Sequence, residues 1–496
     1  MMRREELLRD VLVVEARMPE VVDYSGIEFD SRKVRAGAIF VALSGYRVDG
    51  HEHVADAVAS GASLLVVSRR EYVPAGKDFI LVEDTRLSMA YLSRNLLGHP
   101  SGAMHVVGVT GTNGKTSITY ILEHVSRECG LLSGLVGTMG ARFAGESVSL
   151  ANTTPESADL LKLLASMRRK NVELAALEVS SHGIAFNRVA GIDFAVGVFT
   201  NLSQDHLDFH GTMEEYGATK RRLFTELLPA SPSCRGAVLN LDDELGRSIS
   251  EAIGYRQVRY SLERALGDLW PEQLELGFGG MTFDAVGPFG RVPVRSRLVG
   301  RHNVANILAA LGAVHLLDLD VGKAAAALDG MAPVRGRLDQ IENELGIGLW
   351  VDYAHSPDSL EKVLATLREV VPGRLFTVFG AGGDRDRTKR PIMGSVVERL
   401  SDLAIITSDN PRTESPLSII ADIQGGISPD SQFSRTLIIP DRAMAIEAAI
   451  SLARSGDGVL IAGKGHETYQ IIGTEVLHFD DSEVACGVCR SLEVSK

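Results

Sequence analysis

Cysteine is scarce in this chain, and what there is forms no framework. Four cysteines, Cys129, Cys234, Cys486 and Cys489, are spread over 496 residues. Cys486-Gly487-Val488-Cys489 is a lone C-x-x-C, whereas a zinc ribbon needs a second pair. These residues are expected as reduced thiols, the last two on a helix. Long apolar runs are missing too. None approaches the roughly 20 residues of a membrane span. Near the start only Val11-Leu12-Val13-Val14 is continuously apolar, too short for a signal-peptide core. The expectation is a cytoplasmic protein without membrane insertion. Basic clusters are lacking as well: 64 acidic against 51 basic side chains leave a formal charge of −13, with no long Lys/Arg run. Sequence-independent nucleic-acid binding needs clustered cations and is excluded on that ground. Internal repeats and low-complexity segments are absent.

What is present is an ordinary globular composition long enough for about three domains. One stretch carries most of the information: Gly111-Thr112-Asn113-Gly114-Lys115-Thr116. The apolar run His105-Val106-Val107-Gly108-Val109 before it reads as a buried strand. After it, Ile118, Ile121, Leu122 and Val125 fall on one helical face, at i, i+3, i+4 and i+7. Strand, Gly-rich turn, Lys-Thr and helix together make a phosphate cradle: glycines let backbone N–H groups approach phosphate oxygens, and the helix N-terminus adds positive potential. Lys115 is placed to reach the β/γ-phosphates and Thr116 to ligate Mg²⁺. The strict P-loop pattern has Gly where this chain has Val109, so the spacing is a variant. The alternative is a Gly-rich turn before an ordinary helix.

Gly98-His99-Pro100-Ser101-Gly102 and Met331-Ala332-Pro333-Val334 mark boundaries, giving expected domains 1–99, 100–332 and 333–496. The first reads as a small α/β module, with strands at 38–43 and 62–67 and a helix between, from His53 to Ser60. In the second, 173–179 and 194–200 are near-continuous apolar runs, as in strands of a parallel sheet buried on both faces. The third alternates strand-like runs at 348–352, 375–379, 403–407 and 458–462 with helical stretches, including 359–370 and 392–400, the pattern of a doubly wound sheet. Hinge motion is expected near Pro333.

Ligands of such sheets bind beyond the carboxyl ends of the strands, and the polar clusters lie there. Glu178-Val179-Ser180-Ser181-His182 ends one strand, and Asn201 to Asp208, with Asp205 and His206, ends the next. Carboxylate and imidazole on one rim can hold a metal against phosphates, although Mg²⁺ prefers oxygen and His206 is an unusual ligand for it. Otherwise His182 and His206 are ordinary hydrogen-bonding residues. Gly382 to Arg390 is dense in charge and by itself reads as a solvated loop. It follows strand 375–379, however, and Asp409-Asn410-Pro411-Arg412 holds the matching place after 403–407. Two arginines there can clamp two carboxylates, with Asp409 and Glu467 taking an ammonium group. The implied ligand carries both charges, as a polar amino acid does.

These motifs together resemble the Mur ligases, ATP-dependent amide-forming enzymes of peptidoglycan synthesis. The resemblance runs over nearly the whole chain: Asp30-Ser31-Arg32, Thr110 to Thr116, Asn152-Thr153-Thr154-Pro155, Glu178 to His182, Asp205 to Asp208, Tyr216 to Phe224, Gly300 to Asn306, Gly336-Arg337, Asp352 to Pro357, Gly383 to Asp386, Asp409 to Arg412 and Gly463 to Glu467. The phosphate loop alone is shared with folylpolyglutamate synthases. The resemblance implies an α/β protein of three domains: a small N-terminal α/β UDP-binding module, a central P-loop ATPase-like parallel sheet and a C-terminal Rossmann-like doubly wound sheet.

It also implies a reaction. ATP phosphorylates the terminal carboxylate of UDP-N-acetylmuramoyl-L-alanyl-D-glutamate, and the amine of meso-2,6-diaminopimelate attacks the acyl phosphate. By carry-over, Gly111, Thr112, Asn113, Gly114, Lys115, Thr116, Asn303, Asn306, Arg337, Asp352 and His355 bind ATP. Thr116, Glu178, His206 and Lys220 would hold two Mg²⁺ ions, Lys220 as a carbamate (N6-carboxylysine). Lys115, Lys220, His206 and Glu178 are the expected catalytic set. Ser31 and Tyr46-Arg47-Val48 match the uridine site, and Asn152, Thr153, Thr154, Ser180 and Arg188 the muramoyl dipeptide site. Arg385, Asp409, Asn410, Arg412, Gly463 and Glu467 match diaminopimelate contacts. Lysine-adding relatives lack the arginine matching Arg412, which suits a second carboxylate that lysine does not have. Read alone, Lys220 is a surface helix lysine. Two positions depart from the family: Phe186 where Gln is usual, leaving its hydrogen bond to Arg188 or water, and His302 where Phe is frequent. A monomer is expected. The alternatives are a lysine-adding Mur ligase, a folylpolyglutamate synthase-like ligase, or a nucleotide-binding switch without ligase chemistry, which leaves the clusters at 383–390 and 409–412 idle.

Overall fold

The computed structural model describes residues 1–45, 48–264 and 266–494, so the expected uridine contacts Tyr46 and Arg47 lie outside the described residues. The chain forms two compact units. One comprises Met1–Pro271, Ala285–Val292 and Ala305–Ala327; the other comprises Glu272–Asp284, Pro293–Val304 and Leu328–Lys496.

The first unit holds two large sheets, besides a two-stranded pairing of Met2–Arg3 with Val21–Val22. The smaller is five-stranded, in the order Val13–Arg17, Asp78–Val82, Leu64–Val67, Ile39–Val41, Ile27–Glu28. All its pairings are parallel except that of Val13–Arg17 with Asp78–Val82. The larger is eight-stranded. At its centre His105–Thr110 lies parallel between Leu174–Glu178 and Phe194–Phe199, in the register Glu178 to Val109 and Phe199 to Thr110. The apolar runs read from the sequence are these strands, and they are buried because helices cover both faces of a parallel sheet. Helix Lys115–Glu128 buries Ile118, Ile121, Leu122 and Val125 completely, as their spacing requires.

The second unit is built on a six-stranded sheet, Asp339–Gln340, Gly348–Asp352, Gly458–Ala462, Leu375–Phe379, Leu403–Ile406, Thr436–Ile438. Five strands are parallel and Asp339–Gln340 is antiparallel at the edge. Helix Pro357–Val370 starts two residues earlier than its apolar period, because Ser356 and Ser359 close a reciprocal cap with Pro357 in the first turn. Helix Lys389–Leu400 takes in the end of the charged run, and Arg390 is fully buried between Glu414 and Asp422, so that residue is no part of a solvated loop. Cys486 and Cys489 are free thiols on helix Asp481–Val494, and burial raises the Cys489 thiol to a pKa of about 11.

Candidate active site

In the first unit the strand His105–Thr110 gives way to the loop 111–114, and the helix opens at Lys115 with Gly114 as its N-cap at φ +87°. Glycine is dictated at both turn positions by close approach. A Cβ on Gly111 (φ +145°) would stand 1.8 Å from the Thr200 hydroxyl, and one on Gly114 2.5 Å from Asn306 Oδ1. Asn306 is thereby brought to the loop. The end of the neighbouring strand pins the loop from the other side: Thr112 N–H donates to the Asn201 carbonyl (2.8 Å), Asn113 N–H to Asn201 Oδ1 (3.1 Å), and Thr200 Oγ1 to the Asn113 carbonyl (2.6 Å). Lys115 Nζ donates to the carbonyls of Gly111 and Thr112, both at 2.9 Å.

Beside the loop lies a carboxylate almost sealed from solvent. Glu178 accepts from the Thr116 hydroxyl (2.9 Å), from Thr138 N–H (2.9 Å) and from the Thr138 hydroxyl (3.0 Å). The Thr138 hydroxyl is also 3.1 Å from Thr153 Oγ1. Thr154 Oγ1 donates to the Glu178 carbonyl (2.8 Å) and accepts from Ser180 N–H (3.0 Å), while Ser180 caps the short helix Ser181–Ala185. Thr116, Glu178, Thr153, Thr154 and Ser180 therefore form one connected network.

Arg188 joins it through the Thr154 carbonyl (3.1 Å) and Glu156, and Glu156 is also held by Arg86, whose NH1 lies 2.7 Å from each carboxylate oxygen. Both guanidinium groups stand over the ring of Phe186, Arg86 at 4.9 Å and Arg188 at 5.4 Å from its centroid. Arg188 is thus held in place by Glu156 and the Thr154 carbonyl. Sequence reasoning missed Thr138, Glu156 and Arg86. Glu156 follows the Thr153-Thr154-Pro155 motif directly, a signal that was legible; Thr138 and Arg86 had none.

Lys220 overturns its bland reading. It lies near the end of helix Met213–Arg222, just before a π-helical turn at Leu223–Leu227, and is only 1% exposed. Its Nζ donates to the Gly111 carbonyl at 2.9 Å, the same oxygen that Lys115 uses, and stands 4.4 Å over the Tyr216 ring. Burial, reinforced by the charge of Lys115, pushes its pKa well below that of a free lysine; Asp205 opposes the shift. His206, at φ +53°, sits edge-on to His182 at 5.0 Å and half-exposed beside Asp205. Among the described residues no hydrogen bond joins it to Glu178. Asn152 is exposed, and Ser31 lies in a turn capped by Asp30; neither they nor Val48 bond to the Glu178 network among the described residues.

In the second unit the clusters again gather at strand ends. Asp352 is buried, accepting from Leu338 N–H (2.7 Å) and Ala354 N–H (2.8 Å); burial raises its pKa, with these bonds, Arg337 and His355 opposing. Arg337 lies 5.6 Å over the Tyr353 ring, and His355 Nδ1 is 2.8 Å from the Tyr353 carbonyl. Asn303 is buried and donates to the Val299 carbonyl (2.9 Å). The amino-acid cluster is tighter. Asn410 Nδ2 donates to Glu467 Oε2 (2.9 Å), Asn410 N–H to Asp409 Oδ1 (2.6 Å), and Arg412 NH1 to the Gly383 carbonyl (2.7 Å). A Cβ on Gly463 would lie 2.5 Å from Asp409 Oδ2, and one on Gly382 would lie 3.0 Å from Arg412 NH1 and 3.7 Å from Arg385 Cγ. The structure thus draws Arg385 and Arg412 to one glycine and Asp409, Asn410, Gly463 and Glu467 to one another.

The chain as a whole is similar to known proteins. Three family models match: the Mur ligase middle domain over residues 109–314, the glutamate ligase domain over 336–465 and the Mur ligase family catalytic domain over 23–95. The UDP-N-acetylmuramoyl-L-alanyl-D-glutamate–2,6-diaminopimelate ligase of Geobacillus kaustophilus is 44% identical over 467 residues, covering 93% of this chain and 94% of its own. That of Geobacter metallireducens is 42% identical over 506 residues, with 99% of each chain covered. A solved structure of a ligase of the same name is 32% identical and aligns with a TM-score of 0.77 over 99% of both chains. A folylpolyglutamate synthase of Mycobacterium tuberculosis, at 19% identity and a TM-score of 0.60 over 82% of this chain, shares the fold alone. On domain matches and full-length relatives alike, the chain belongs to the Mur ligase family.

Proposed function

We propose that this ATP-dependent ligase joins meso-2,6-diaminopimelate to UDP-N-acetylmuramoyl-L-alanyl-D-glutamate, as the names of its relatives describe for them. The observation that carries the amino-acid assignment is the 409–412 loop. It offers a guanidinium beside Arg385 for a distal carboxylate, and the Asp409–Asn410–Glu467 group for an ammonium. Domains are read as 1–99 for the UDP portion, 100–332 for ATP and 333–496 for the amino acid, in a cytoplasmic monomer.

The chemistry follows from what a carboxylate lacks, a leaving group. An oxygen of the D-glutamyl side-chain carboxylate attacks the γ-phosphorus of ATP; the bond to the β-γ bridging oxygen breaks and ADP departs. The resulting acyl phosphate is attacked by the neutral amine of the amino acid, the C–N bond forms, inorganic phosphate leaves and the amine loses a proton. Lys115 and the loop N–H groups offset charge on the transferred phosphoryl. Thr153, Thr154, Ser180 and Arg188 orient the dipeptide. Asn306 belongs with the loop, and Asn303, Arg337, Asp352 and His355 are assigned to the nucleotide.

Mg²⁺ fits the donors present. The Thr116 hydroxyl and Glu178 carboxylate are hard oxygens 2.9 Å apart, and no group of three or more His, Cys, Asp or Glu side chains forms a self-sufficient metal site among the described residues. Glu178, Thr116, His206 and a carbamylated Lys220 would hold two ions, completed by phosphate and water. Bound there, the metal neutralises phosphate charge. Carbamylation suits Lys220, since only an amine that has lost its proton adds CO₂ and burial favours that form.

Phosphate release from purified protein, measured with a panel of amino acids, tests the reading. Turnover is expected only when ATP, the UDP-linked dipeptide and diaminopimelate are all present. Equal turnover with lysine would refute the specificity assignment.

A further inference from the structure

Between Gly463 and Glu467 lies a lysine that the motif reading passed over. Lys464 has no exposed surface. Its Nζ donates to Asn410 Oδ1 (2.8 Å) and to the Tyr469 carbonyl (2.7 Å), and stands 3.6 Å from Glu467 Oε2. A fully buried ammonium is costly to keep where a methionine of similar length would fill the space. What it obtains here is control of an amide. Asn410 Oδ1 accepts from Lys464 and also from Ile471 N–H (3.0 Å), so the carbonyl end of that side chain has two donors and its orientation is determined. The NH₂ end must then face Glu467, and it does, at 2.9 Å. A flipped amide would turn Oδ1 toward a carboxylate and repel it.

We propose that Lys464 is a positioning residue for the amino-acid substrate: through Asn410 it fixes the Glu467 carboxylate that receives the substrate's ammonium group. The inference rests on the functional reading above. Lys464 itself touches no substrate, so its loss weakens amino-acid binding and leaves the other two substrates alone. Burial lowers the Lys464 pKa, Arg442 adds to that, and Asp409 and Glu467 oppose it.

Steady-state kinetics of Lys464→Met, Asn410→Ala and the double variant test this. Lys464→Met is expected to raise the diaminopimelate KM tenfold or more while the KM values of ATP and the UDP-linked dipeptide stay within twofold. The double variant is expected to be no worse than the poorer single one, because both act on one linkage. Parallel changes in all three KM values, or additive effects in the double variant, overturn the proposal. If Lys464→Met does not fold, Lys464→Gln decides: a selective rise in the diaminopimelate KM upholds the linkage, and an unchanged KM ends it. Turnover of the wild type with diaminopimelate checks the underlying reading separately. If another amino acid is used instead, that reading fails, and the same KM comparison with that amino acid still judges Lys464.

Discussion

At the residue scale the most consequential group is Lys220, an amine in a buried setting with a second amine on the same carbonyl oxygen. A group whose folded pKa lies below its unfolded value binds fewer protons when folded, so stability rises with pH between the two values. The cost of burying Lys220 charged is therefore largest at low pH and shrinks toward the ordinary lysine pKa. Lys220→Met removes that cost along with one hydrogen bond. Its melting temperature is expected to equal or exceed the wild type's at pH 7, by up to about 2 °C if about 1 kcal/mol is recovered, with the gap narrowing at pH 9.5. Activity should meanwhile fall by two orders of magnitude or more. Lys220→Ala leaves a space where the carbamate belongs, and short carboxylic acids are expected to restore part of its turnover. Full activity without any added acid would exclude the carbamate role.

At the element scale the strands were legible and the joints were not. Apolar runs such as 105–109, 194–199 and 458–462 have one stable solution, a strand covered on both faces, and each is found as one. The loop 111–116 was equally plain, because its glycines answer to contacts that any side chain would violate. Gly111→Ala puts a methyl group on the Thr200 hydroxyl at an unfavourable φ, and ATP binding followed by titration calorimetry is expected to weaken at least tenfold. The π turn at 223–227, the left-handed Arg412 (φ +51°) and the hairpin Tyr469–His478 that bonds to its backbone depend on long-range packing and leave no local pattern. The same holds for side chains that act through others. Arg86 lies on helix Thr85–Leu96, far in sequence from the Glu156 it grips, and that grip decides where Arg188 points. Glu156→Ala strands two guanidinium groups that are 13–20% exposed. The KM of the UDP-linked dipeptide is expected to rise tenfold or more, with the diaminopimelate KM unchanged.

At the scale of the whole molecule, the proposed assignments put the phosphate loop and the Glu178 network in the first unit and the amino-acid cluster in the second, and this would make specificity separable from catalysis. The phosphate loop and the Glu178 network would serve any member of the family, since every one must activate a carboxylate. With the amino-acid cluster assigned to the second unit, that unit is where amines would be distinguished. Diaminopimelate and lysine share an ammonium group and differ by one carboxylate, so discrimination has to come from a cation that lysine leaves without a partner. Arg412 fits that role: its backbone is fixed by Ile471 and Gly473, its NH1 is committed to the Gly383 carbonyl at 2.7 Å, and both that NH1 and Arg385 Cγ lie close to Gly382. A guanidinium held this way loses little freedom on binding a carboxylate, and lysine in its place would leave it desolvated and unpaired. Arg412→Ala removes both the attraction and the penalty. Loss of about 2–3 kcal/mol of pairing corresponds to a diaminopimelate KM about 30- to 150-fold higher. The ATP KM should not move, and the preference for diaminopimelate over lysine should shrink by a similar factor. Because lysine loses a penalty where diaminopimelate loses an attraction, lysine turnover should hold steady or improve in this variant. Equal losses with both amino acids would show that Arg412 supports the loop and does not read the second carboxylate.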